Sequence, residues 1–192
     1  MRTVILNTLA TLRAGHPIRG RITPDPTGDA LVVQMSNLDP ETGVDWDGVT
    51  RVSLPGRRAV FLQDGDILFV ARGGRLFAAL VEDAPGDAVA APQLFVIRVR
   101  GRDVLPGYLA WYLNSRRGQQ YLYQRAAGTS ILHASRKVLE DLPVVLPGLE
   151  RQALIVVTYR CWLREKALRL RLLAARERLI EAVLASSVGR DA

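Results

Sequence analysis

The chain has 192 residues, of which 48% are hydrophobic and 23% are charged. This composition is ordinary for a soluble globular protein and excludes broad disorder, and no run of about 18 uncharged apolar residues could span a bilayer. The net charge of +7 favours a polyanionic partner, and the single cysteine, Cys161, excludes an intramolecular disulfide and a multi-cysteine zinc site. A GC-rich genome would explain why arginine is preferred over lysine, but not the excess of positive charge.

The first half of the chain reads as strands separated by turns. Apolar residues at helical spacing predict a helix over residues 4–14 that stops at Gly15, and the following segment, rich in Pro, Gly and Asp, is a predicted loop. Gly73 and Gly74 predict the turn of a β-hairpin. Runs of β-branched and apolar residues predict strands over residues 30–35, 51–54, 67–71, 75–81 and 93–100.

The second half changes in character. A helix is predicted over residues 105–124, opened by Pro106, and a small-residue loop follows it. Ser135 is a predicted N-cap of a short helix that ends at Leu139 or Glu140. A short strand over residues 142–146 comes next. From Leu149 to about Ser186 no Pro or Gly occurs, which predicts one long helix of roughly 35 residues.

This long helix would span about 50 Å, which is too long for it to pack along its whole length on a domain of about 150 residues. Its length therefore favours an intermolecular coiled coil or bundle, although packing on its own domain stays open. Glu165 interrupts the wide apolar face. The residues predicted to contact a partner are Leu154, Ile155, Thr158, Trp162, Leu168, Leu172, Leu179 and Val183.

The residue pattern predicts neither a catalytic site nor a metal site. The histidines, His16 and His133, have no carboxylate or cysteine at ligand spacing, and no Gly-rich phosphate loop is followed by a helix. Glu82 and Asp83 lack a following lysine at nuclease spacing, and no adenine-methyltransferase motif occurs. We therefore expect no enzyme activity and no cofactor on this chain.

DNA binding requires a different set of residues, namely Arg, Lys, Ser and Thr for phosphates and Arg, Asn and Gln for bases. Two predicted loops provide such residues: the hairpin turn and the loop before the short helix. For each arginine the alternative is an ordinary solvated surface charge. The candidate DNA-binding residues are Arg72 and Arg75 in the hairpin turn, Thr129, Ser130, His133, Arg136 and Lys137 in the second loop, Arg57 and Arg58 after Pro55-Gly56, and Asn37 after the first strand.

The order of several short motifs is more specific than any one of them. The motifs are QMSNL at 34–38, LQDGDIL at 62–68, YLAWYLNS at 108–115, GTSIL at 128–132, LEDLPVVLP at 139–147 and ERQ at 150–152. In order and spacing the chain resembles the specificity subunit of type I restriction-modification systems over about residues 4 to 185. It has one recognition domain and one long helix, whereas full specificity subunits have two of each, so it resembles half a subunit.

The resemblance implies an α+β fold, with one target recognition domain built on a mixed β-sheet with flanking helices and followed by a long coiled-coil-type helix. The implied domains are residues 1–148 for recognition, 149–186 for dimerisation and partner binding, and 187–192 as a tail. Two copies would read a bipartite, inverted-repeat DNA site. They would dock methyltransferase subunits, which bind S-adenosylmethionine, and through them a restriction subunit.

Two other interpretations remain open at this stage. The chain could be a DNA-binding accessory protein of another anti-phage or regulatory system that uses the same domain. It could also be a scaffold or inhibitor that binds a protein through its helix. In every case the absence of a secretion signal favours a cytoplasmic location.

Overall fold

The computed structural model describes residues 2–18, 20–54, 59–128 and 131–188. Contacts between Cα atoms divide the chain into two compact units, Met1–Ala153 and Leu154–Ala192. The division falls inside the long helix. The first unit is an α+β domain, and the second is the rest of that helix.

In the described chain a long run of strands follows the first helix, and the other four α-helices come after residue 105. The helices are α1 Leu6–Leu9, α2 Pro106–Asn114, α3 Arg116–Arg125, α4 Arg136–Glu140 and α5 Leu149–Val188. The strands are β1 Arg2–Ile5, β2 Ala10–Ala14, β3 Ala30–Val33, β4 Leu38–Asp39, β5 Gly43–Val44, β6 Thr50–Val52, β7 Ile67–Val70, β8 Arg72–Gly73, β9 Phe77–Leu80, β10 Ala88–Ala90, β11 Leu94–Val99, β12 Leu132–His133 and β13 Pro143–Leu146.

The largest sheet is antiparallel and has the strand order β2-β11-β7-β9. All four residues of β7 are buried, as expected for a strand covered on both faces. A second sheet is mixed, because β3 pairs in parallel with β10 and antiparallel with β6. The mixed strand directions and flanking helices confirm the predicted α+β class.

The core of the first unit is formed by large aliphatic side chains from both the sheet and the helices. Its largest fully buried members are Phe69, Leu6, Leu62, Ile67, Leu68, Leu76, Leu94, Ile97, Leu109, Leu113, Leu122 and Leu139. Burying each such side chain contributes roughly 1.5–3 kcal/mol.

The predicted helix over residues 4–14 is wrong except for one turn, α1. Strand β1 pairs with β13 and strand β2 pairs with β11, so partners distant in the sequence decide the conformation. The buried Leu6 and Leu9 suit a helical spacing equally well, which is why the local pattern was ambiguous. Tertiary pairing overrides local spacing in this segment.

The predicted helix over residues 105–124 is in fact two helices that meet at Ser115. Ser115 adopts an extended conformation, and its hydroxyl accepts a hydrogen bond from the Gly118 amide, which begins α3. A Cβ at Gly118 would lie 2.3 Å from the Tyr112 carbonyl oxygen, so only glycine allows α3 to approach the end of α2 this closely. Serine as an N-cap and glycine at the contact together produce the break.

Other predicted elements are confirmed. Strands β7 and β9 form the predicted hairpin, β13 lies within the predicted strand, and the Ser135 hydroxyl accepts the Val138 amide to cap α4. The sequence did not predict β10, which is short and rich in alanine, or the two-residue strands β4, β5, β8 and β12.

A buried ion pair links the central sheet to the turn before the hairpin. The Arg98 guanidinium donates to both Asp66 carboxylate oxygens at 2.6 Å, and Asp66 is 1% exposed. The Gln63 amide also donates to this carboxylate, at 3.0 Å. The hydrogen bond to Asp66 raises the pKa of Arg98. These bonds compensate for the cost of burying the charge of Asp66.

Buried polar side chains attach α2 and the first turns of α5 to the same unit. The Gln152 amide is fully buried, accepts the Leu105 N–H at 2.9 Å and donates to the carbonyls of Asp103 and Pro147 at 2.9 Å. The Tyr108 hydroxyl donates to the Val145 carbonyl, and burial raises the pKa of Tyr108 to about 12.

Helix α5 has 40 residues, confirming the predicted long helix, and is roughly 60 Å long. Many of its large apolar side chains are at least half exposed, so the described chain alone does not bury them. They include Leu154, Val157, Trp162, Leu168, Leu170, Leu172, Leu173, Leu179, Ile180, Val183 and Leu184. In the described residues, no helix is both long and apolar enough to cross a membrane.

Candidate nucleic-acid interface

The tip of the β7–β9 hairpin lies against the loop that precedes α4. Strand β8 at the tip pairs antiparallel with β12 in the loop, so that Arg72 lies opposite His133 and Gly73 opposite Leu132. The Ala134 amide continues this pairing with a 2.9 Å hydrogen bond to the Ala71 carbonyl. Two segments about 60 residues apart in sequence, both predicted to bind DNA, therefore form one surface, which we call the hairpin surface.

His133 lies in the middle of this surface. Its amide and its carbonyl both bond to Ala127, at 2.9 and 3.0 Å, while Arg72 lies on its other side. The backbone of His133 is therefore held between two neighbouring segments, and its imidazole is exposed. A side chain that is exposed on a fixed backbone is suited to contacting a ligand.

Two glycines allow the hairpin tip and the loop to adopt these conformations. Gly128 has a φ of +93°, and a Cβ there would lie 2.2 Å from the Ile131 carbonyl oxygen. Gly73 has a φ of +149°, which L residues rarely adopt. Substitution at either position would move the paired backbones on which Arg72 and His133 lie.

The two hairpin arginines are available to an external anion. Arg72 and Arg75 are exposed, and in the part of the chain that the structure describes neither forms an ion pair with a carboxylate. The Arg75 guanidinium lies 6.0 Å from the centre of the Phe77 ring, where the ring limits its freedom. Their charges are not neutralised by neighbours within the described surface.

Arg136 and Lys137 differ from these two, because α4 supplies each with a carboxylate one turn later. Arg136 Nε lies 2.7 Å from Glu140, and Lys137 Nζ lies 2.9 Å from Asp141. The hydrogen bond to Asp141 raises the pKa of Lys137. Both cations are exposed, so the pairs are weak and could open towards a phosphate, but they add little net charge to the surface.

The structure corrects the assignment of Asn37 as a direct DNA contact. Asn37 is 7% exposed, its side-chain oxygen accepts the Gln34 amide at 2.9 Å, and its side-chain nitrogen donates to the Gly48 carbonyl at 2.8 Å. The amide group thus holds a short 3₁₀ turn, Met35–Asn37, against the next loop. The candidates Arg57, Arg58, Thr129 and Ser130 lie outside the described residues.

The structure adds two apolar side chains to this surface that the sequence did not indicate. Ile131, 57% exposed, lies in the loop beside β12, and Met35 is 47% exposed. The Met35 sulfur is 3.8 Å from where a Cβ of Gly73 would be, which places it beside the hairpin tip. Met35 follows a buried strand, so its sequence position gave no sign that it would be exposed.

Another polar residue that the sequence did not indicate protects the edge of the sheet next to the tip. The Asn114 side chain accepts the Ala78 amide at 2.8 Å and donates to the Ala78 carbonyl at 2.7 Å. Strand β9 is the last strand of its sheet, so Asn114 satisfies backbone groups that would otherwise pair with another strand. The hairpin is thereby held in place from the helix side.

Neither a scan of family models nor a search of curated proteins found a match to the sequence. Solved structures do match. The HsdS subunit from Thermoanaerobacter tengcongensis aligns with 91% of this chain at 22% identity and a TM-score of 0.65. A chain from a study of complex assembly and conformational transition of the type I R-M system aligns with 95% of it, at 18% identity and a TM-score of 0.64.

A third structure, the type I restriction-modification S subunit from M. genitalium, aligns with 82% of the chain at 15% identity and a TM-score of 0.53. The chain has the fold of these S subunits. It spans less than half of their length, 45%, 43% and 37% in the order given. The alignments therefore confirm the predicted resemblance at the level of fold.

Proposed function

We propose that this chain is a DNA-recognition subunit of a type I restriction-modification complex and works as half of a specificity subunit. The observation that carries the proposal is the fold, which nearly the whole chain shares with one part of an HsdS subunit. The hairpin surface agrees with it, because two exposed arginines and a histidine lie together on a fixed backbone. No enzyme activity is proposed for the chain itself.

The hairpin surface has the groups that reading double-stranded DNA requires. An arginine can bond to O6 and N7 of guanine together, and His133 can donate to a base or a phosphate. The exposed Met35 and Ile131 suit the methyl group of thymine. Arg136 and Lys137 would bind phosphates, which position the protein without reading sequence.

Half-length chains need a way to form a two-domain unit, and α5 provides one. Its apolar face is exposed along most of its length, and a helix of this kind is buried by a second helix. Two copies joined through α5 would place two identical readers about a two-fold axis. Such a dimer would read an inverted repeat, with a non-specific gap set by the helix length.

The remaining parts of the proposed complex are other chains. Methyltransferase subunits would dock on the helices and bind S-adenosylmethionine for the methylation step. A restriction subunit would join through them. We expect the complex to act in the cytoplasm, where chromosomal and incoming DNA are both accessible.

The experiment that tests the proposal is selection of binding sites from random duplex DNA, with the purified chain alone and with its methyltransferase. We expect enrichment of an inverted repeat with a fixed gap. The variant Arg72→Ala/Arg75→Ala should enrich no sequence. Arg102→Ala is the matched control, because Arg102 is exposed and follows the opposite end of β11 from the hairpin tip.

The alternative outcomes separate the competing functions. Enrichment of a site in the absence of any associated methyltransferase would favour an accessory protein of another system. If neither preparation enriches a sequence, DNA recognition is wrong, and a scaffold that binds protein through α5 becomes the better explanation.

A further inference from the structure

Helix α3 has a basic, polar side that faces solvent. Its buried residues, Gly118 and Leu122, lie together on the opposite side and hold the helix against the first unit. The exposed residues fall within about 100° of one another around the helix axis. We call them the α3 face, and they are Arg116, Arg117, Gln120 and Gln124.

The charge of α3 is not compensated by acidic residues in its part of the chain. No aspartate or glutamate occurs between residues 103 and 140, whereas five cations occur there. Two of the five belong to α4 and already have carboxylate partners. In the described residues the other three form no ion pair, and they are Arg116, Arg117 and Arg125 of α3. Three positive charges on one short helix favour a polyanion.

Arg125 lies at the end of α3 that leads into the hairpin surface. Its guanidinium carbon is 4.0 Å from the centre of the Tyr121 ring. Stacking on a ring fixes the plane of a guanidinium and leaves the N–H groups at its edge for oxygen acceptors. Because Arg125 is also exposed, it is oriented to bond to the oxygens of a phosphate.

Hydrogen bonds hold both ends of α3 beside the two segments that form the hairpin surface. Just before α3 begins, the Asn114 side chain bonds to the N–H and the carbonyl of Ala78, three residues after Arg75. Just after α3 ends, the backbone of Ala127 bonds twice to that of His133. Helix α3 therefore extends from the hairpin to the loop before α4, and the α3 face is continuous with the hairpin surface.

We propose that the α3 face and Arg125 bind the phosphates of the DNA duplex beside the bases that the hairpin surface contacts, whatever the sequence. The proposal rests on the proposed function, and it adds the residues that provide the sequence-independent part of DNA affinity. Arginine and glutamine side chains are common donors to phosphate oxygens, which fix the position of a protein on the duplex without reading its sequence.

The width of the DNA groove explains why α3 binds phosphates and not bases. The major groove, about 12 Å wide, admits one α-helix or one two-stranded ribbon. When the hairpin that carries Arg72 and Arg75 occupies the groove, a helix packed beside it lies over the groove edge. The groove edge is formed by the phosphates of one strand.

The length of α3 fits this position. Its ten residues span about 15 Å. Phosphates of one strand follow each other every 3.4 Å or so along the duplex axis, so α3 is about as long as four successive phosphates. Arg116 and Arg117 lie at one end and Arg125 at the other, with Gln120 and Gln124 between them. The donors are thus distributed along the whole helix.

The salt dependence of affinity for a scrambled duplex tests the proposal, with the full-length chain and fluorescence anisotropy as the readout. Each phosphate contact contributes about 0.9 to the slope of log affinity against log salt concentration. The variant Arg116→Gln/Arg117→Gln/Arg125→Gln should therefore have a slope shallower by about 2.7. From about 50 to 200 mM salt it should lose roughly 40-fold less affinity than the parent.

A matched control removes the same net charge at the other end of the first unit. Arg100 and Arg102 are exposed and follow β11 at the end away from the hairpin tip. Arg151 is exposed and lines a cavity together with Asp103. The variant Arg100→Gln/Arg102→Gln/Arg151→Gln should leave the salt slope within about 0.5 of the parent value, because it removes no phosphate contact.

Conservative variants distinguish phosphate contacts from base contacts. Arg116→Lys/Arg117→Lys/Arg125→Lys retains the charges and should retain most of the salt slope, because an ammonium also binds phosphate. It should keep the parent's preference for the selected duplex, which a bidentate base contact would not allow. Arg125→Gln alone should reduce the slope by about 0.9, and thermal unfolding of each variant checks that it is folded.

The outcomes separate this proposal from the proposed function. A parent that selects a site, with a triple Gln variant of unchanged salt slope, would overturn the role of α3 and leave DNA recognition intact. A lysine variant that loses sequence preference would show that α3 reads bases, which also overturns the proposal. Salt-dependent binding through α3 by a chain that selects no site would support the proposal without the proposed function. A parent that binds no duplex would remove both.

Discussion

The two units of this chain differ in how far they bury the same kind of side chain. Leu68 in the central sheet is completely buried, whereas Leu168 in α5 is 58% exposed. In the first unit, strands and helices from distant parts of the chain pack over the leucines, whereas the apolar face of α5 is exposed in the described residues. The first unit therefore has a complete hydrophobic core, whereas α5 has an apolar face that the described residues leave exposed.

The polar residues show the same difference. In the first unit Asp66 and Gln152 are buried and hydrogen-bonded several times, which fixes one arrangement of strands and helices. In α5 the Glu165–Arg169 pair is exposed on both sides and contributes little to a lone helix. Its effect depends on what packs against it. In the proposed function, the first unit would recognise DNA, and assembly would depend on α5.

The same truncation in both units tests this difference in burial most directly. Leu68→Ala should lower the free energy of unfolding of the first unit by about 2–5 kcal/mol, because the cavity cannot fill. Leu168→Ala should change it by less than about 0.5 kcal/mol and should instead weaken the dimer. Denaturation followed by tryptophan fluorescence measures the first effect and sedimentation the second. Equal effects on unfolding would mean that α5 belongs to the core.

Removing the buried carboxylate tests how far polar contacts hold the first unit together. Asp66→Ala takes away both bonds to Arg98 and the bond to the Gln63 amide, and should cost on the order of 3 kcal/mol of unfolding free energy. Urea denaturation measures the loss. Asp103→Ala is the matched control, since Asp103 is exposed and its pair with Arg2 lies at the surface. A comparable loss in the control would contradict the assignment.

The proposed function predicts that DNA affinity and dimer affinity respond to different residues. Arg72→Ala or Arg75→Ala should cost about 1–3 kcal/mol against the selected site if the arginine reads a guanine. The dimer dissociation constant should not change. Fluorescence anisotropy measures the affinity for the selected duplex and the affinity for a scrambled one, and sedimentation measures the dimer dissociation constant. An equal loss on the two duplexes would identify the arginine as a phosphate contact.

The smallest predicted effect concerns the buried phenol of Tyr108. Its folded pKa of about 12 lies above the ordinary value of 10, so the folded state holds the proton more tightly than the unfolded state does. The stability that this difference provides is complete below pH 10 and declines as the pH rises from 10 to 12. Phenolate absorbance of the parent minus that of Tyr108→Phe should show this late titration. A phenol that titrates near pH 10 would mean that Tyr108 is exposed to water.

The sequence predicted those elements whose conformation depends on neighbouring residues better than those that depend on distant residues. The hairpin, the Ser135 cap and the long helix follow from turn glycines, an N-cap serine and a run without Pro or Gly, all of which act on neighbouring residues. The N-terminal segment failed because its strands pair with β13 and β11, more than 80 residues away. Helical spacing over residues 4–14 agrees with the burial of Leu6, Leu9 and Leu12, but not with the exposure of Ile5, and the predicted conformation was wrong.

The same distinction between local and long-range features applies to the candidate site. The sequence identified Arg72, Arg75 and His133 separately, because Gly-flanked arginines and a basic loop are local features. Their pairing across β8 and β12, the burial of Asn37 and the exposure of Met35 all depend on which segments meet in space. In the sequence alone, a polar residue in a turn gives the same signal whether it binds DNA or stabilises the turn.

The sequence by itself determined that the chain is basic and has a unit of strands and turns followed by one long helix with a wide apolar face, because charge, turn residues and helix breakers act over a few positions. Only the tertiary structure decided which of these residues form the surface and which are used inside it. Burial and strand pairing depend on residues far apart in the chain, and a hydrogen bond used within the fold is no longer available to a partner. The apolar face of α5 is exposed within the described residues, so it is available to a partner.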